Sequence, residues 1–278
     1  MKSCIIAGEG NLPFLLAEKN KDFIVISIKN LSISNRFKNI THNVDMLDFN
    51  KMIEIFKTHN IKKLIFAGKF YRQKVFKKKV SKDVKKIIDE TKFLGDDSTL
   101  KIIKEFFEKN GFKVVSPNTL IKNDFKSNEI VFNKKTHNDQ KLKYFLNTIK
   151  IGKNILDLIS KFDIGQSIVA RKNHILGIEG IEGTDELIKR CGKYFNKQLN
   201  ENNTFGPVLI KLPKLHQTLD LDIPVIGIDT VKLAYKYNFF GIGFSQKGVL
   251  VVNENEIKSF CKSKSFYLFC IGDLEKFE

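Results

Sequence analysis

Short apolar runs alternate with amphipathic stretches through the first half of the chain. Residues 4–7 and 23–28 are strand-like. Residues 12–19 predict a helix entered through Pro13, a residue suited to a first helical turn. Phe49, Met52, Ile53 and Phe56 recur at helical spacing and predict a helix over 49–59. A strand over 63–67 ends at Gly68. A helix over 100–109 stops at Gly111, and a strand over 113–116 precedes Pro117. Strand and helix in alternation imply a parallel sheet covered by helices.

The polar stretch 133–141 breaks this rhythm, and the domain boundary is set near Thr136, giving domains 1–135 and 136–278. Residues 142–160 predict a long amphipathic helix. Strands over 167–170 and 175–179 join through a turn at Lys172-Asn173-His174. A short helix over 184–191 is expected to stop before Gly192. A strand over 208–212 and a helix over 228–237 follow. Residues 241–244 and 249–252 are expected to form a hairpin around Gln246-Lys247-Gly248. The fold class expected is α/β: a Rossmann-like N-terminal domain with a parallel sheet, plus a distinct mixed α/β C-terminal domain.

Composition narrows the setting. The chain has 278 residues, 42% of them hydrophobic, which supports real cores. No apolar run approaches the roughly 20 residues of a membrane span. The N-terminus enters a strand directly, so secretion is not expected. Four scattered cysteines form no CxxC pair and are expected to be free thiols in a reducing compartment. The net charge of +17 suits nucleic acid, anionic lipid or phosphorylated metabolites, and equally suits a general lysine bias. Lys outnumbers Arg, and no aromatic platform for base stacking is evident, so nucleic acid is not the expected partner. The densest basic run, 74–86, fits a membrane surface or a solvated face.

Candidate chemistry falls in a few blocks. Gly8-Glu9-Gly10-Asn11-Leu12-Pro13 follows the first strand and opens a helix. It fits a phosphate or ribose cradle, or a plain tight turn; Pro13 stands where a dinucleotide fingerprint has its third glycine. Lys69 and Arg72 near another strand end fit phosphate contacts or surface charges. Gly95-Asp96-Asp97 leads into a helix and fits capping or ligand binding. The densest run is Asp163-Ile164-Gly165-Gln166-Ser167, then Glu179-Gly180-Ile181-Glu182-Gly183-Thr184-Asp185. The three carboxylates within 179–185 make a poor core and a plausible Mg²⁺ site, because hard oxygen ligands suit that ion. Thr184 and Asp185 also suit a helix cap. Asp222, before Ile223-Pro224, is a candidate general base or metal ligand. No HxH, HExxH or cysteine cluster favours zinc.

These blocks, in this order, resemble the LpxI-type UDP-2,3-diacylglucosamine pyrophosphatases of Gram-negative lipid A synthesis. The resemblance runs end to end and includes Asp222-Ile223-Pro224-Val225-Ile226-Gly227. It implies Mg²⁺-dependent (or Mn²⁺-dependent) cleavage of UDP-2,3-diacylglucosamine to lipid X and UMP, with water directed at the phosphorus nearer the sugar. It implies lipid held between two domains, a homodimer, and a cytoplasmic enzyme peripheral on the inner face of the inner membrane. Asp222, Glu182 and Asp185 are then the catalytic and metal-binding set. Gly8, Gly10, Asn11, Lys69, Gln166, Glu179, Thr184, Lys211 and Gln217 are the substrate-binding set. One block departs from the family: Gln217-Thr218-Leu219-Asp220-Leu221-Asp222 stands where Gln-Asp-x-Arg-x-Asp is usual. That departure keeps two other readings open: another nucleotide- or sugar-phosphate-binding enzyme, and a noncatalytic lipid-binding homologue.

Overall fold

The computed structural model describes residues 2–70, 96–121, 124–162, 164–197, 205–214 and 223–272, with the backbone alone considered for 96–100. The chain divides into two compact units, the first made chiefly of residues up to 122 together with Ile223, the second chiefly of residues from 123 onward.

The first unit is a five-stranded, all-parallel sheet of order β3-β2-β1-β4-β5. Its strands are β1 (Lys2–Ala7), β2 (Ile24–Ile28), β3 (Thr41–Val44), β4 (Ile61–Ala67) and β5 (Lys113–Val114). Every residue of β2 is buried, as expected where both faces of a parallel sheet are covered. Helices α1 (Leu12–Lys19), α2 (Phe49–Thr58) and α3 (Asp96–Lys109) connect the strands. The Asp48 side chain caps α2 by accepting from the Lys51 amide at 3.1 Å. Phe49, Phe56, Phe107 and Phe112 interlock at the core, with ring centroids 5.0–5.8 Å apart. Strand order reverses between β1 and β4, and their carboxyl ends lie side by side there. This Rossmann-like arrangement is the one expected from the alternating pattern.

The second unit is a mixed six-stranded sheet of order β6-β13-β11-β9-β7-β8. Strands β6 (Ile130–Val131), β7 (Ser167–Arg171), β8 (His174–Ile178), β9 (Val208–Lys211), β11 (Gly241–Ser245) and β13 (Tyr267–Ile271) compose it. Helix α4 (Asp139–Ile159) lies on one face, where Phe145 and Ile149 share a core with Ile168 and Ile210. Helices α5 (Thr184–Lys197), α6 (Ile228–Lys236) and α7 (Glu254–Ser263) cover the other, where Leu187, Val231 and Ile257 share a core with Val169 and Leu209. Strand alternation sorts neighbouring residues to opposite faces.

Three local expectations are corrected. The hairpin over 241–252 does not form. Strand β11 is already paired on both sides, in parallel, by β9 and β13, so β12 (Leu250–Val251) pairs instead with β10 (Val225–Ile226). Helix α5 runs through Gly192 to Lys197. The glycine sits there because a Cβ would lie 2.5 Å from Tyr237 Cβ, so it permits close packing rather than a stop. Helix α4 starts at Asp139, inside the polar stretch, because the Asn138 side chain accepts from the Lys141 amide at 2.8 Å.

Candidate functional site

Antiparallel pairing gathers three distant stretches at one end of the second sheet. Strand β7 runs opposite to both β8 and β9, so its first residue lies beside their last ones. Ser167 pairs in register with Lys211, and the Glu179 amide donates to the Ser167 carbonyl at 2.9 Å. Helix α5 begins five residues after Glu179 and delivers Thr184 to the same point.

The side chains of this end form one buried polar group. Lys211 Nζ donates to Thr184 Oγ1 at 2.8 Å, and Thr184 Oγ1 donates to Glu179 Oε1 at 2.8 Å. Ser167 Oγ lies 3.4 Å from the same threonine oxygen. The Gln166 amide donates to Glu179 Oε2 at 3.3 Å, and the Gln166 carbonyl accepts from the Leu212 amide at 2.9 Å. Ser167, Glu179, Thr184 and Lys211 are all buried. A buried ammonium and a buried carboxylate are tolerable only when each has hydrogen-bonding partners, and Thr184 links the two.

Glycine at 165 makes the close approach possible. Its φ is +27°, and a Cβ would collide with the Glu179 carbonyl oxygen. The chain then turns tightly from Gly180 to Gly183, whose amide donates back to the Gly180 carbonyl at 3.2 Å. This turn presents Ile181, 91% exposed, and Glu182 to solvent. Arg190 on α5 ties the turn down: its Nη2 reaches Glu182 Oε1 at 2.8 Å and the Ile178 carbonyl at 3.1 Å. The guanidinium holds the Glu182 carboxyl below the ordinary carboxylate range. Asp185 Oδ1 accepts from Thr230 Oγ1 at 3.5 Å.

The first unit carries the other predicted residues. At the ends of β1 and β4 the Glu9 amide donates to the Lys69 carbonyl at 3.0 Å, and the Lys69 amide to the Glu9 carbonyl at 2.8 Å. Gly8 leaves no room for a side chain, since a Cβ would lie 2.5 Å from the Lys69 carbonyl oxygen. Gly10 follows with open space at the Cβ position, and Asn11 Oδ1 accepts from Arg36 Nη1 at 3.1 Å. Arg36 lies 3.9 Å above the Phe14 ring centroid.

Thus Gln166, Glu179, Thr184 and Lys211 come together, with Glu182 and Asp185 on the adjoining turn and helix. Gly8, Gly10, Asn11 and Lys69 gather at the other unit's strand ends. Asp163, Tyr71, Arg72, the basic run 74–86, Gly95, Gln217, Asp220 and Asp222 lie outside the described residues, as do the catalytic and metal-binding roles expected of Asp222. Sequence reasoning left Ser167 and Arg190 without a role. Nothing in local spacing marks Arg190, because its link to Glu182 depends on the turn between them. Among the described residues, no three His, Cys, Asp or Glu side chains group as a metal site, and no helix is long and apolar enough to cross a membrane.

Comparison with known proteins covers nearly the whole chain. The model of the LpxI N-terminal domain matches residues 2–124, and that of the LpxI C-terminal domain matches residues 129–269. A similar curated protein is the UDP-2,3-diacylglucosamine pyrophosphatase LpxI of Caulobacter vibrioides. It is 22% identical over 270 residues, covering 91% of each chain.

Proposed function

The chain belongs to the LpxI family, whose defining reaction is hydrolysis of the diphosphate of UDP-2,3-diacylglucosamine, and we propose a division of labour among its residues in that reaction. The observation that carries the proposal is the buried Lys211–Thr184–Glu179 link, which fixes the base of an acidic turn. Water adds to the phosphorus nearer the sugar, the bond from that phosphorus to the bridging oxygen breaks, and UMP leaves with that oxygen. The products are lipid X and UMP, and one proton is released.

In this reading Glu179, Thr184 and Lys211 are the platform. They hold the turn so that Glu182 and Asp185 face the ligand at fixed positions, which lowers the entropy cost of assembling the site. Asp222 accepts the proton of the attacking water. Gly8, Gly10, Asn11 and Lys69 receive the nucleotide at the strand ends of the first unit, where open α/β sheets bind ligands. Mg²⁺ suits the donor set, because Glu182 and Asp185 are hard oxygen ligands. Glu182 also pairs with Arg190, and two carboxylates alone make an incomplete site, so Asp222 is the donor proposed to complete it. Bound Mg²⁺ supplies charge neutralisation at the diphosphate and acidifies water. The substrate, a second copy of the chain and an anionic membrane at the cytoplasmic face are the proposed partners.

The test is release of UMP from UDP-2,3-diacylglucosamine by the purified chain with Mg²⁺ or Mn²⁺. Turnover without a divalent cation would remove the metal from the scheme. Lipid binding without any turnover would favour the noncatalytic reading that the altered Gln217 block raises.

A further inference from the structure

Helix α5 has two faces of opposite character. Leu187, Ile188, Cys191 and Phe195 are buried on the inner one, and Leu187, Ile188 and Cys191 join the sheet core. Lys189, Arg190, Lys193 and Lys197 follow at spacings of one, three and four residues, which places them along the outer one. With Glu186 and Tyr194 they line a shallow groove of about 400 Å³. Glu186 is the one carboxylate in that lining, and Lys189 engages it at 2.6 Å. Tyr194 is 55% exposed between the lysines.

Arg190 ties this face to the acidic turn, because its guanidinium bridges Glu182 and the Ile178 carbonyl. The exposed Ile181 of that turn is therefore held close to the start of the same face. The outer surface of α5, a helix about 20 Å long, thus combines four cations and one phenol ring, with one apolar tip on the turn that precedes it. Lysines on an amphipathic surface keep their ammonium groups in water while their stems cover apolar area. A tyrosine favours the boundary between headgroups and acyl chains.

We propose that the outer face of α5, Lys189, Arg190, Lys193, Tyr194 and Lys197, is the surface by which this protein docks on an anionic phospholipid bilayer. The inner face is fixed in the core, so α5 does not leave the fold to insert. It acts as a rigid electrostatic shelf, with Tyr194 and Ile181 touching the headgroup layer. The proposal rests on the reading that the substrate is a membrane lipid: docking by this face sets the turn at 180–183, at the helix's own N-terminal end, against the layer where that lipid resides.

The experiment compares two triple variants of equal charge. One is Lys189→Gln, Lys193→Gln, Lys197→Gln. The other is Lys247→Gln, Lys262→Gln, Lys264→Gln, at exposed positions elsewhere in the same unit. Binding is read by co-sedimentation with vesicles of phosphatidylglycerol and phosphatidylethanolamine, and with neutral phosphatidylcholine vesicles. At roughly fivefold per lysine, the α5 variant partitions about 100-fold less onto anionic vesicles, while the control variant changes only a few-fold. Equal loss in both variants, or undiminished binding of the α5 variant, overturns the proposal. Hydrolysis of substrate dispersed in detergent micelles is measured in parallel. It is unchanged in both variants, which also verifies their folding; its absence from the unsubstituted protein would refute the reaction while leaving the vesicle result standing. A third variant, Tyr194→Ser, weakens vesicle binding in high salt more than in low salt, since it removes the apolar rather than the electrostatic contact.

Discussion

Lys211 and Glu179 are joined through a single hydroxyl. The ammonium donates to Thr184 Oγ1 at 2.8 Å, so the hydroxyl proton turns toward the Glu179 carboxylate, 2.8 Å away. The three side chains come from β9, the end of β8 and the start of α5. One short side chain therefore fastens two strands to a helix, and it does so where the acidic turn begins.

Replacing that hydroxyl removes one hydrogen bond from each charge. Thr184→Val keeps the shape and removes the link, and it is expected to cost about 2 kcal/mol or more, because buried charged groups lose a partner. Thr184→Ser retains the link and stays within about 1 kcal/mol of the parent. Urea denaturation of the two variants measures the difference, and UMP release falls in the valine variant only.

Gly165→Ala places a methyl group against the Glu179 carbonyl oxygen in a backbone with φ +27°. Neither side of the contact is a flexible side chain end. A loss of about 3 kcal/mol is expected from overpacking and strain. Thermal unfolding checks it. The variant is expected to lose activity at temperatures where its fold persists, because the clash moves Glu179.

His42 and His59 face one another, Nε2 to Nε2, at 3.0 Å. Burial first, then the neighbouring His59 and Lys51 charges, lower the His42 pKa from its ordinary 6.5. The unfolded chain then binds more protons than the folded one as pH falls below about 6.5, so stability declines there and is restored as pH rises. His42→Gln is expected to flatten this dependence. Melting temperatures of both proteins between pH 7.5 and 5.5 test it, and parallel curves would assign the loss to other groups.

All four cysteines are buried. Burial pushes the Cys261 and Cys270 thiols up to about 12, and raises Cys4 further. The thiolate is the reactive form. Iodoacetamide is expected to label the native protein at well under a tenth of the rate seen in denaturant, followed by intact mass.

Much of this architecture was legible from period and punctuation. Helices α1 and α2 lie where Pro13 and the Phe49–Phe56 spacing predicted them, and β7 and β8 pair around Lys172 as the turn residues suggested. Strand β3, Thr41–Val44, was not legible, because an edge strand with polar, half-exposed residues lacks an apolar signature. The failed hairpin at 241–252 shows a different limit. Strand pairing there is decided by β9 and β13, which are distant in sequence, whereas a short turn signal reports only its neighbours. At the candidate site, glycine and carboxylate content marked 179–185 as unusual. That Lys211 would reach Thr184 depended on β7 running antiparallel to β9, which spacing cannot express. Arg190 was hidden for the same reason, its partner being set by the turn at Gly180–Gly183 rather than by helical spacing from Glu182.

The account stands most directly on one measurement: UMP released from UDP-2,3-diacylglucosamine with Mg²⁺, by the parent protein and by Asp222→Ala, with lipid X binding followed in the same preparations. The parent is expected to turn over, and the variant to lose at least about 100-fold in rate while still binding the lipid, as removal of a general base predicts. Full turnover by Asp222→Ala would contradict the assignment of the proton-accepting carboxylate. No turnover by the parent would contradict the proposed reaction itself.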